Sequence, residues 1–324
     1  MLIICMMEAA LDDDDEIFVY MGGNQQVPDG IRRARIHKSV EIILRGAFRR
    51  RRQLISVEFH DGVEIIEEYA FECCFRLNSI TKLLGVKIIK TRAFAHCSEI
   101  LCDVEFGDKL ETIEKQVFEG CKALRKIKSP TVRTIGMMAF ASCSELSDVE
   151  FGEGLRTVRR EAFICPKLKR IVLPLKDGMI GVDVFAGCAK LQTVDLVGNI
   201  HNTVASLHME SWRNEMMDEI NRINQTLPTN GYGKTAVIQQ WMRSVIRHLN
   251  HFKDEHKAIL KEATTLLELA LWKVNLDDKG GKLASDRLRA RKEKRVSSSA
   301  RIVMKNVLRV IGVPRGSRET ARNE

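Results

Sequence analysis

One phenylalanine recurs along the chain at nearly constant spacing, and this repeat constrains the fold more than any other feature. Its seven positions are separated by 23, 23, 24, 22, 23 and 22 residues: Phe48, Phe71, Phe94, Phe118, Phe140, Phe163 and Phe185. A unit of this length cannot bury its own apolar face, so successive copies must stack on one another. The sequence therefore predicts a solenoid with one turn per repeat.

Other positions of the repeat also keep their residue type. An isoleucine or valine lies five residues before each phenylalanine, and an alanine or valine directly precedes it. A cysteine follows three residues after it in five copies, two residues after it in one, and is replaced by Arg51 in the first: Cys74, Cys97, Cys121, Cys143, Cys188 and the early Cys165. A cysteine that recurs at one position of a stack behaves as a small buried hydrophobe. We therefore predict free thiols in a reducing compartment rather than disulfides.

The residues after each cysteine predict a β-strand. In Leu146 to Phe151 the last four residues alternate between apolar and polar, which is typical of a strand with one face buried. Turn signals such as Asp61-Gly62 follow. Stacked copies would form a parallel sheet, with the phenylalanines filling the interior of every turn. We expect a half repeat over residues 31–36, and a short strand over 16–21 that caps the open end of the stack.

This repeat resembles the BspA-like, or treponemal, type of leucine-rich repeat. The pattern I-x3-A-F-x2-C-x2-L-x2-V carries the resemblance; it is intact from Ile66 to Ile80 and from Ile135 to Val149, and six of the seven copies match it well. The resemblance implies a solenoid whose concave sheet face serves protein–protein interaction or surface attachment, without catalysis. Family members with secretion signals act as adhesins. This chain opens without such a signal, so the adhesin role is not expected.

After the last predicted strand the apolar period changes to 3.6 residues, which indicates amphipathic helices. Three helical faces can be traced, around Met209, Trp212, Met216, Ile220 and Ile223, around Val237, Trp241, Val245 and Leu249, and around Ile259, Ala263, Leu266, Leu267, Ala270, Leu271 and Val274. We expect these helices to cover the exposed last turn of the solenoid. The alternative is a separate helical hairpin that binds a partner.

The charge of the protein is concentrated in its C-terminal tail. Residues 279–324 contain 14 lysines and arginines against four aspartates and glutamates, a net charge of +10, whereas the whole chain is +9. Glycines and serines frame this basic run, which favours a flexible tail. Its core, residues 287–295, is a candidate nuclear address or nucleic-acid contact. The alternative is a solvated tail with no specific partner.

These patterns predict an α+β protein of four segments. Residues 1–15 form an acidic, disordered N-terminus; 16–200 a leucine-rich-repeat solenoid with a parallel sheet; 201–278 a cap of C-terminal α-helices; and 279–324 a basic flexible tail. The apolar start of the chain is short and runs into an acidic stretch, so it is neither a signal peptide nor a membrane span. We expect a cytoplasmic or nuclear protein.

A search for catalytic and metal-binding patterns predicts no enzyme. Gly233-Lys234-Thr235 imitates the end of a phosphate-binding loop, but Pro228 stands where the first glycine is needed and a helix precedes the motif. The histidines at 248, 251 and 256 lack a cysteine or carboxylate that would complete a zinc site. We therefore predict no cofactor.

The candidate site is the outward face of the predicted sheet, where residues between the buried strand positions form rows of mixed charge. The residues predicted to contact a partner are Arg32, Arg33, Arg35, Glu58, Glu105, Arg125, Lys126, Lys128, Glu150 and Asp195. Mixed charge suits a protein partner, whereas a phosphate backbone requires an unbroken basic stripe. The leading hypothesis is a non-enzymatic interaction scaffold. The alternatives are that these residues are simply soluble outward positions, or that the chain is a nuclear or nucleic-acid-associated adaptor using its tail and the arginines at 49–52.

Overall fold

The computed structural model describes residues 17–80, 83–98, 103–198, 200–207 and 209–279. The predicted acidic N-terminus and all of the basic tail except Lys279 lie outside these ranges. The described strands are β1 (Ile17–Tyr20), β2 (Arg33–Ile36), β3 (Ile42–Ile43), β4 (Ser56–Glu58), β5 (Ile65–Ile66), β6 (Ser79–Ile80), β7 (Ile88–Ile89), β8 (Asp103–Glu105), β9 (Thr112–Ile113), β10 (Lys126–Ser129), β11 (Thr134–Ile135), β12 (Asp148–Phe151), β13 (Thr157–Val158), β14 (Arg170–Pro174) and β15 (Thr193–Val197). The helices are α1 (Ile200–Ala205), α2 (Glu210–Thr226) and α3 (Lys234–Lys279).

The strands form two walls of a parallel β-solenoid of about seven turns, which confirms the predicted fold class. The front wall consists of a four-stranded sheet (β1-β2-β4-β6) and a five-stranded sheet (β15-β14-β12-β10-β8). An isolated parallel bridge between Leu83 and Phe106 links the turns on either side of this division. The back wall is a six-stranded sheet of two-residue strands (β13-β11-β9-β7-β5-β3). From β2 to β13 each turn contributes one strand to each wall, and beyond β13 the back wall continues as an isolated bridge between Val158 and Ile180.

The repeated phenylalanines form one continuous stack through the core. All seven are at most 1% exposed, and successive ring centroids lie 4.9 to 6.0 Å apart with interplanar angles of 13° or less. In the first six copies the backbone amide of the ring residue donates to a carbonyl of the next turn, as Phe118 does to Ala139 at 2.8 Å. The stack thus explains why the phenylalanine repeats, because each ring packs on the same residue of its neighbours.

Each turn bends sharply at the residue two positions before its phenylalanine. This residue has a positive φ in all seven copies, although only the first is a glycine: Gly46, Tyr69, Arg92, Gln116, Met138, Glu161 and Asp183. A second left-handed residue lies two positions after the phenylalanine in six copies: Arg50, Cys73, His96, Gly120, Ser142 and Gly187. In the sixth copy this residue is deleted, which explains why Cys165 comes one position early in the sequence. The left-handed region is unfavourable for residues with a Cβ, so the stack must impose it.

The repeat cysteines have a second role besides filling space. In each of the six, the thiol donates a hydrogen bond to the carbonyl of the phenylalanine in the preceding turn, with sulfur–oxygen distances of 2.8 to 3.2 Å. All six are free and buried. In the first copy Arg51 takes the place of the cysteine, and its Nε donates to the Val27 carbonyl at 2.8 Å. The position therefore selects a donor that satisfies a buried carbonyl.

The N-terminal end of the solenoid is closed by side chains that substitute for a further turn. Tyr20 is buried, and its ring lies 5.1 Å from that of Phe48, which completes the aromatic stack. Gln25 covers part of the free edge of β1: its Oε1 accepts from the Met21 amide at 2.6 Å, and its Nε2 donates to the Val19 carbonyl at 3.1 Å. One amide side chain thus replaces the backbone groups of a neighbouring strand.

The C-terminal end is closed in the same way by the ends of α2 and α3. Thr235 Oγ1 accepts from the Phe185 amide at 3.0 Å, which completes the backbone ladder where no eighth turn exists. The side chain of Lys234 is 2% exposed, and its Nζ donates to the Leu191 carbonyl at 2.6 Å. Burial lowers the pKa of this lysine. Lys234 and Thr235 therefore both bind backbone groups at the C-terminal end of the solenoid.

The described chain divides into two compact units. The first contains residues up to Ile200 together with Asn221–Ile246; the second contains His201–Ile220 and the described part of Arg247–Glu324. In the second unit the rings of Trp212 and Phe252 stack at 5.2 Å. Two predictions need correction here. The helices predicted over 237–249 and 259–274 are one helix, α3, and apolar residues of its later part are exposed rather than covering a core.

Candidate protein-interaction face

The front face, the outward surface of the front wall, carries two parallel rows of side chains. Alternate strand residues such as Val57, Ile127 and Val149 are buried, and the residues between them point outward. Within each front sheet the strand register aligns two rows of positions. In the four-stranded sheet the first row is Arg33, Ser56 and Ser79 and the second is Arg35 and Glu58. In the five-stranded sheet the backbone register gives a first row of Asp103, Lys126, Asp148, Arg170 and Thr193 and a second row of Glu105, Lys128, Glu150, Val172 and Asp195. Neighbours in a row lie one strand spacing, about 4.8 Å, apart.

Charges of opposite sign alternate along these rows and form ion pairs between turns. In the second row, Arg35 Nε lies 2.5 Å from Glu58 Oε2, and Lys128 Nζ lies 3.2 Å from Glu150 Oε1. The Glu58 carboxylate raises the pKa of Arg35 through this hydrogen bond. Each of these ion pairs neutralises its own two charges, so the face is rich in charge without carrying a long stretch of one sign.

Arg170 forms ion pairs with two carboxylates on the face. Its Nε lies 2.7 Å from Asp195 Oδ2, and its Nη1 lies 3.3 Å from Asp148 Oδ1, so it bridges three successive strands. Partial burial acts to lower the pKa of Arg170, but the hydrogen bond to Asp195 and the two carboxylate charges outweigh it and raise the pKa. Because two carboxylates bind its guanidinium group, the Arg170 side chain is held in one orientation.

The ion pair between Lys128 and Glu150 is more exposed to solvent. Lys128 retains 72% of its side-chain exposure and Glu150 42%, so water screens the attraction between them. Exposed ion pairs of this kind contribute about 0 to 1 kcal/mol each to stability. A partner can therefore displace one member of a pair at little cost, and the charges can determine its orientation.

The structure brings most of the predicted contact residues together on this face. Arg33, Arg35, Glu58, Glu105, Lys126, Lys128, Glu150 and Asp195 all lie in the two rows. Arg32 and Arg125 are exposed and stand directly before β2 and β10, at the border of the face. Their carbonyls accept the amides of Ile55 and Ser147 from the next turn. These two arginines are therefore in equivalent positions of different repeats.

Asp148 and Arg170 also lie on this face but were not among the predicted contact residues. Both lie in the first row, two residues before Glu150 and Val172 of the second row, and of these two only Glu150 was among the predicted contacts. The period-two alternation of the strands contained the signal, since every outward residue has another outward residue two positions away. Only the second row was followed along the whole chain.

The basic cluster at residues 49–52 is partly used within the solenoid. Arg49 Nε donates to Glu72 Oε2 at 2.6 Å, where the carboxylate is almost fully buried. Arg51 holds the Val27 carbonyl, as described above. At least two of the four arginines therefore stabilise contacts between turns, which weakens the cluster as an anion site.

The described residues contain no group of three or more histidine, cysteine, aspartate or glutamate side chains arranged to hold a metal ion. Among the described helices, none combines the length and apolar character needed to cross a bilayer.

Comparison with known proteins identifies the repeat. The family described as BspA type Leucine rich repeat region (6 copies) matches residues 29–130 and 87–215. No curated protein matches the chain.

Similar solved structures include two bacterial proteins. One is a leucine rich cell surface protein from Faecalibacterium prausnitzii A2-165, 25% identical, with a TM-score of 0.43 over 57% of this chain and 52% of the other. The other is the leucine rich repeat protein of T. pallidum, 20% identical, with a TM-score of 0.35 over 57% of this chain and 74% of the other. The chain thus spans about half the length of the first of these proteins.

Proposed function

This chain belongs to the BspA type leucine-rich repeat family, and from that premise we propose that it is a non-enzymatic scaffold that binds a protein partner through its front face. Repeat solenoids typically present extended surfaces for binding other proteins. The observation that supports the proposal is the pair of charge rows, which the strand register aligns within each of the two front sheets.

The chemistry of these rows favours a protein over a nucleic acid. Acidic residues such as Glu58, Glu150 and Asp195 interrupt the basic ones at nearly every strand. A phosphate backbone would meet repulsion at each of these positions, whereas a folded protein can offer charges of both signs. The border arginines Arg32 and Arg125 extend the surface without changing this balance.

Charge reversal on the front face tests the proposal. The variant Arg125→Glu/Lys128→Glu should lose its partner in affinity capture while keeping the melting temperature of the parent, because both residues are exposed. Lys109→Glu/Lys115→Glu is the matched control, since it reverses two exposed lysines away from the front strands. Equal capture by both variants would contradict the proposal.

The tail supports a second candidate, a nuclear or nucleic-acid-associated adaptor. Its net charge of +10 would release counterions on binding a polyanion, so such binding should weaken steeply with salt. Deleting residues 279–324 should abolish binding to RNA or DNA and leave a front-face partner attached. Loss of every partner on this deletion, or on nuclease treatment, would favour the adaptor. If the chain is a scaffold without the adaptor role, we expect it in the cytoplasm. Imaging would then place the full-length protein and the tail deletion in the same compartment.

A further inference from the structure

A strip of positive charge borders the front face along its C-terminal half. It lies on the residues shortly before β10, β12, β14 and β15, where backbone hydrogen bonds hold successive turns in register. The Ser147 amide donates to the Arg125 carbonyl at 2.9 Å, and the Lys169 amide donates to the Ser147 carbonyl at 2.9 Å. We name this strip the basic ledge. It consists of five exposed cations: Lys122, Arg125, Lys167, Lys169 and Lys190.

The basic ledge already binds one carboxylate, that of Glu145, which lies within it. Lys167 Nζ donates to both carboxylate oxygens, at 2.6 and 2.8 Å. This hydrogen bond lowers the pKa of Glu145, desolvation opposes it in part, and the charges of Lys167, Arg125 and Lys190 lower the pKa further. Cations from three different turns therefore act on a single carboxylate, so the spacing of the ledge suits carboxylate groups.

Most of the positive charge of the ledge is not used in this contact. Among the described residues, Lys167 is the only member of the ledge that forms an ion pair. The charges of Lys122, Arg125, Lys169 and Lys190 face solvent. Five cations against one carboxylate leave a surface that attracts further negative charge.

The dimensions of the ledge indicate the length of a ligand. From Lys122, in the turn of Phe118, to Lys190, in the turn of Phe185, the ledge crosses three strand spacings, or about 14 Å. An extended chain advances about 3.4 Å per residue, so about five residues of peptide cover this distance.

The surroundings of the ledge favour an acidic peptide over a nucleic acid. Glu145 lies within the ledge, and Asp148 lies beside it in the first row of the front face. A phosphate backbone carries a charge at every nucleotide and would be repelled at these positions, whereas a peptide can place neutral residues opposite them. The ledge also continues directly into the mixed charges of the front face, since Arg125 is followed by Lys126 of β10.

We propose that the basic ledge binds an extended acidic segment of about five residues, and that this segment belongs to the protein partner of the front face. The second part of this inference rests on the proposed function, whereas the first part does not. The ledge would orient the partner at one border of the face, because its charges are of one sign while the ion pairs of the rows neutralise each other.

Carbodiimide coupling of a glutamate peptide to the full-length protein tests the first part. The reagent joins a carboxylate to a lysine amine that it contacts, and peptide mapping by mass spectrometry identifies each lysine, so that coupling to the tail is counted separately. Lys169 and Lys190 should couple at least about fivefold more than the exposed lysines Lys109 and Lys115, because the ledge concentrates the peptide. Raising the salt should reduce this difference.

Glu145→Gln is the most specific variant, since it removes the carboxylate that competes for the ledge. Coupling at Lys169 and Lys190 should rise at least about twofold, and Lys167, released from its ion pair, should couple as well. Glu150→Gln is the matched control. It releases Lys128 from an ion pair on the front face and should leave coupling at the ledge lysines unchanged.

Three outcomes would overturn the first part. Coupling at Lys169 and Lys190 no greater than at Lys109 and Lys115 excludes the ledge as a binding surface. Equal coupling in Glu145→Gln and the parent shows that carboxylates do not compete there. An RNA oligonucleotide that suppresses coupling at a lower concentration than the peptide needs to produce it identifies a nucleic acid as the occupant.

Affinity capture of the front-face partner tests the second part separately from the proposed function. Lys169→Glu/Lys190→Glu should reduce capture at least about tenfold without a change in melting temperature, because both side chains are exposed. If Lys128→Glu weakens capture and the ledge variant does not, the front-face proposal stands and the ledge does not bind the partner. If only the ledge variant loses the partner, the ledge binds it and the front-face proposal fails. Capture that survives both variants contradicts both proposals.

Discussion

The Cys143 thiol donates to the Phe118 carbonyl oxygen at a sulfur–oxygen distance of 3.1 Å, so each buried cysteine is tied to the aromatic residue of the preceding turn. This relationship makes the thiol more than a space-filling group, because a buried carbonyl without a donor is costly.

Cys143→Ala should therefore destabilise the protein by about 1 to 3 kcal/mol, through the unpaired carbonyl and the lost volume. Cys143→Ser should lose less than the alanine variant if the hydrogen bond matters, since a hydroxyl can donate to the same oxygen. Urea unfolding measures both. Cys73→Ala is the control, because Cys73 is half-buried and outside the series of hydrogen-bonded thiols. If the serine and alanine variants lost the same free energy of unfolding, the hydrogen bond would contribute nothing and only the volume of the side chain would matter.

The aromatic stack gives the largest expected effect. Phe118→Ala or Phe140→Ala removes a fully buried ring that packs between two others, and should cost about 3–5 kcal/mol. Melting should also become less cooperative, because each turn is stabilised by its neighbours. Calorimetry would reveal both changes. A variant that melts like the parent is incompatible with the stack.

The thiols should differ in reactivity. Burial raises the pKa of Cys97, Cys121 and Cys165 well above the usual range, and that of Cys188 to about 12. Among the described cysteines only Cys73 is not buried, so it should be labelled first by a thiol reagent in the native protein. Burial also raises the pKa of Cys73, which should slow that reaction relative to a free thiol. Mass spectrometry after brief labelling identifies the site, and rapid labelling of Cys143 would be inconsistent with the fold.

The same pKa shift predicts a loss of stability in alkali. The Cys188 thiol has a higher pKa in the folded protein than in the unfolded chain, so its contribution is complete below the unfolded pKa of about 8.5 and declines as pH rises through about 12. The free energy of unfolding should fall with pH in this window by up to about 1.4 kcal/mol per pH unit more in the parent than in Cys188→Ala. Parallel slopes for the two proteins, from chemical denaturation between these limits, would contradict the shift.

The left-handed turn positions offer a way to stabilise the protein. Asp183 has a φ of 52° and is exposed, so Asp183→Gly should raise stability by about 0.5 to 1 kcal/mol through relief of backbone strain. Val182→Gly is the neighbouring control; Val182 is exposed but lacks a positive φ, and the change should destabilise by a similar amount. If both variants were destabilised alike, the strain argument would fail.

The repeat was predictable because equivalent positions of successive turns keep the same type of residue. Phe118 and Ile113 recur at fixed spacing, and the structure places their equivalents in stacked layers of one core. The left-handed positions were not predictable, since Tyr69 and Met138 share no chemistry and no preference for positive φ. Their conformation is imposed by the turns above and below, which is a tertiary effect.

The helices show a different limit. The apolar face shifts between Leu249 and Ile259, which suggested two helices, yet no glycine or proline lies between them and α3 continues. Apolar periodicity indicates which side of a helix is covered, while helix breakers determine where it ends.

The front-face residues were mostly predictable from strand alternation. Their ion pairs were not, because a pairing depends on the register between turns.

The side chains at the two ends of the solenoid have a consequence for assembly. A stack of equivalent turns has no built-in length limit, and two such stacks could in principle join end to end and grow into a fibre. An incoming turn would need the Met21 amide and the Val19 carbonyl at one end and the Phe185 amide at the other. Gln25 and Thr235 already hold these groups. End-to-end association through these positions would first have to break the hydrogen bonds of Gln25 and of Thr235. The side chains that close the two ends of the solenoid therefore also oppose its growth into a fibre.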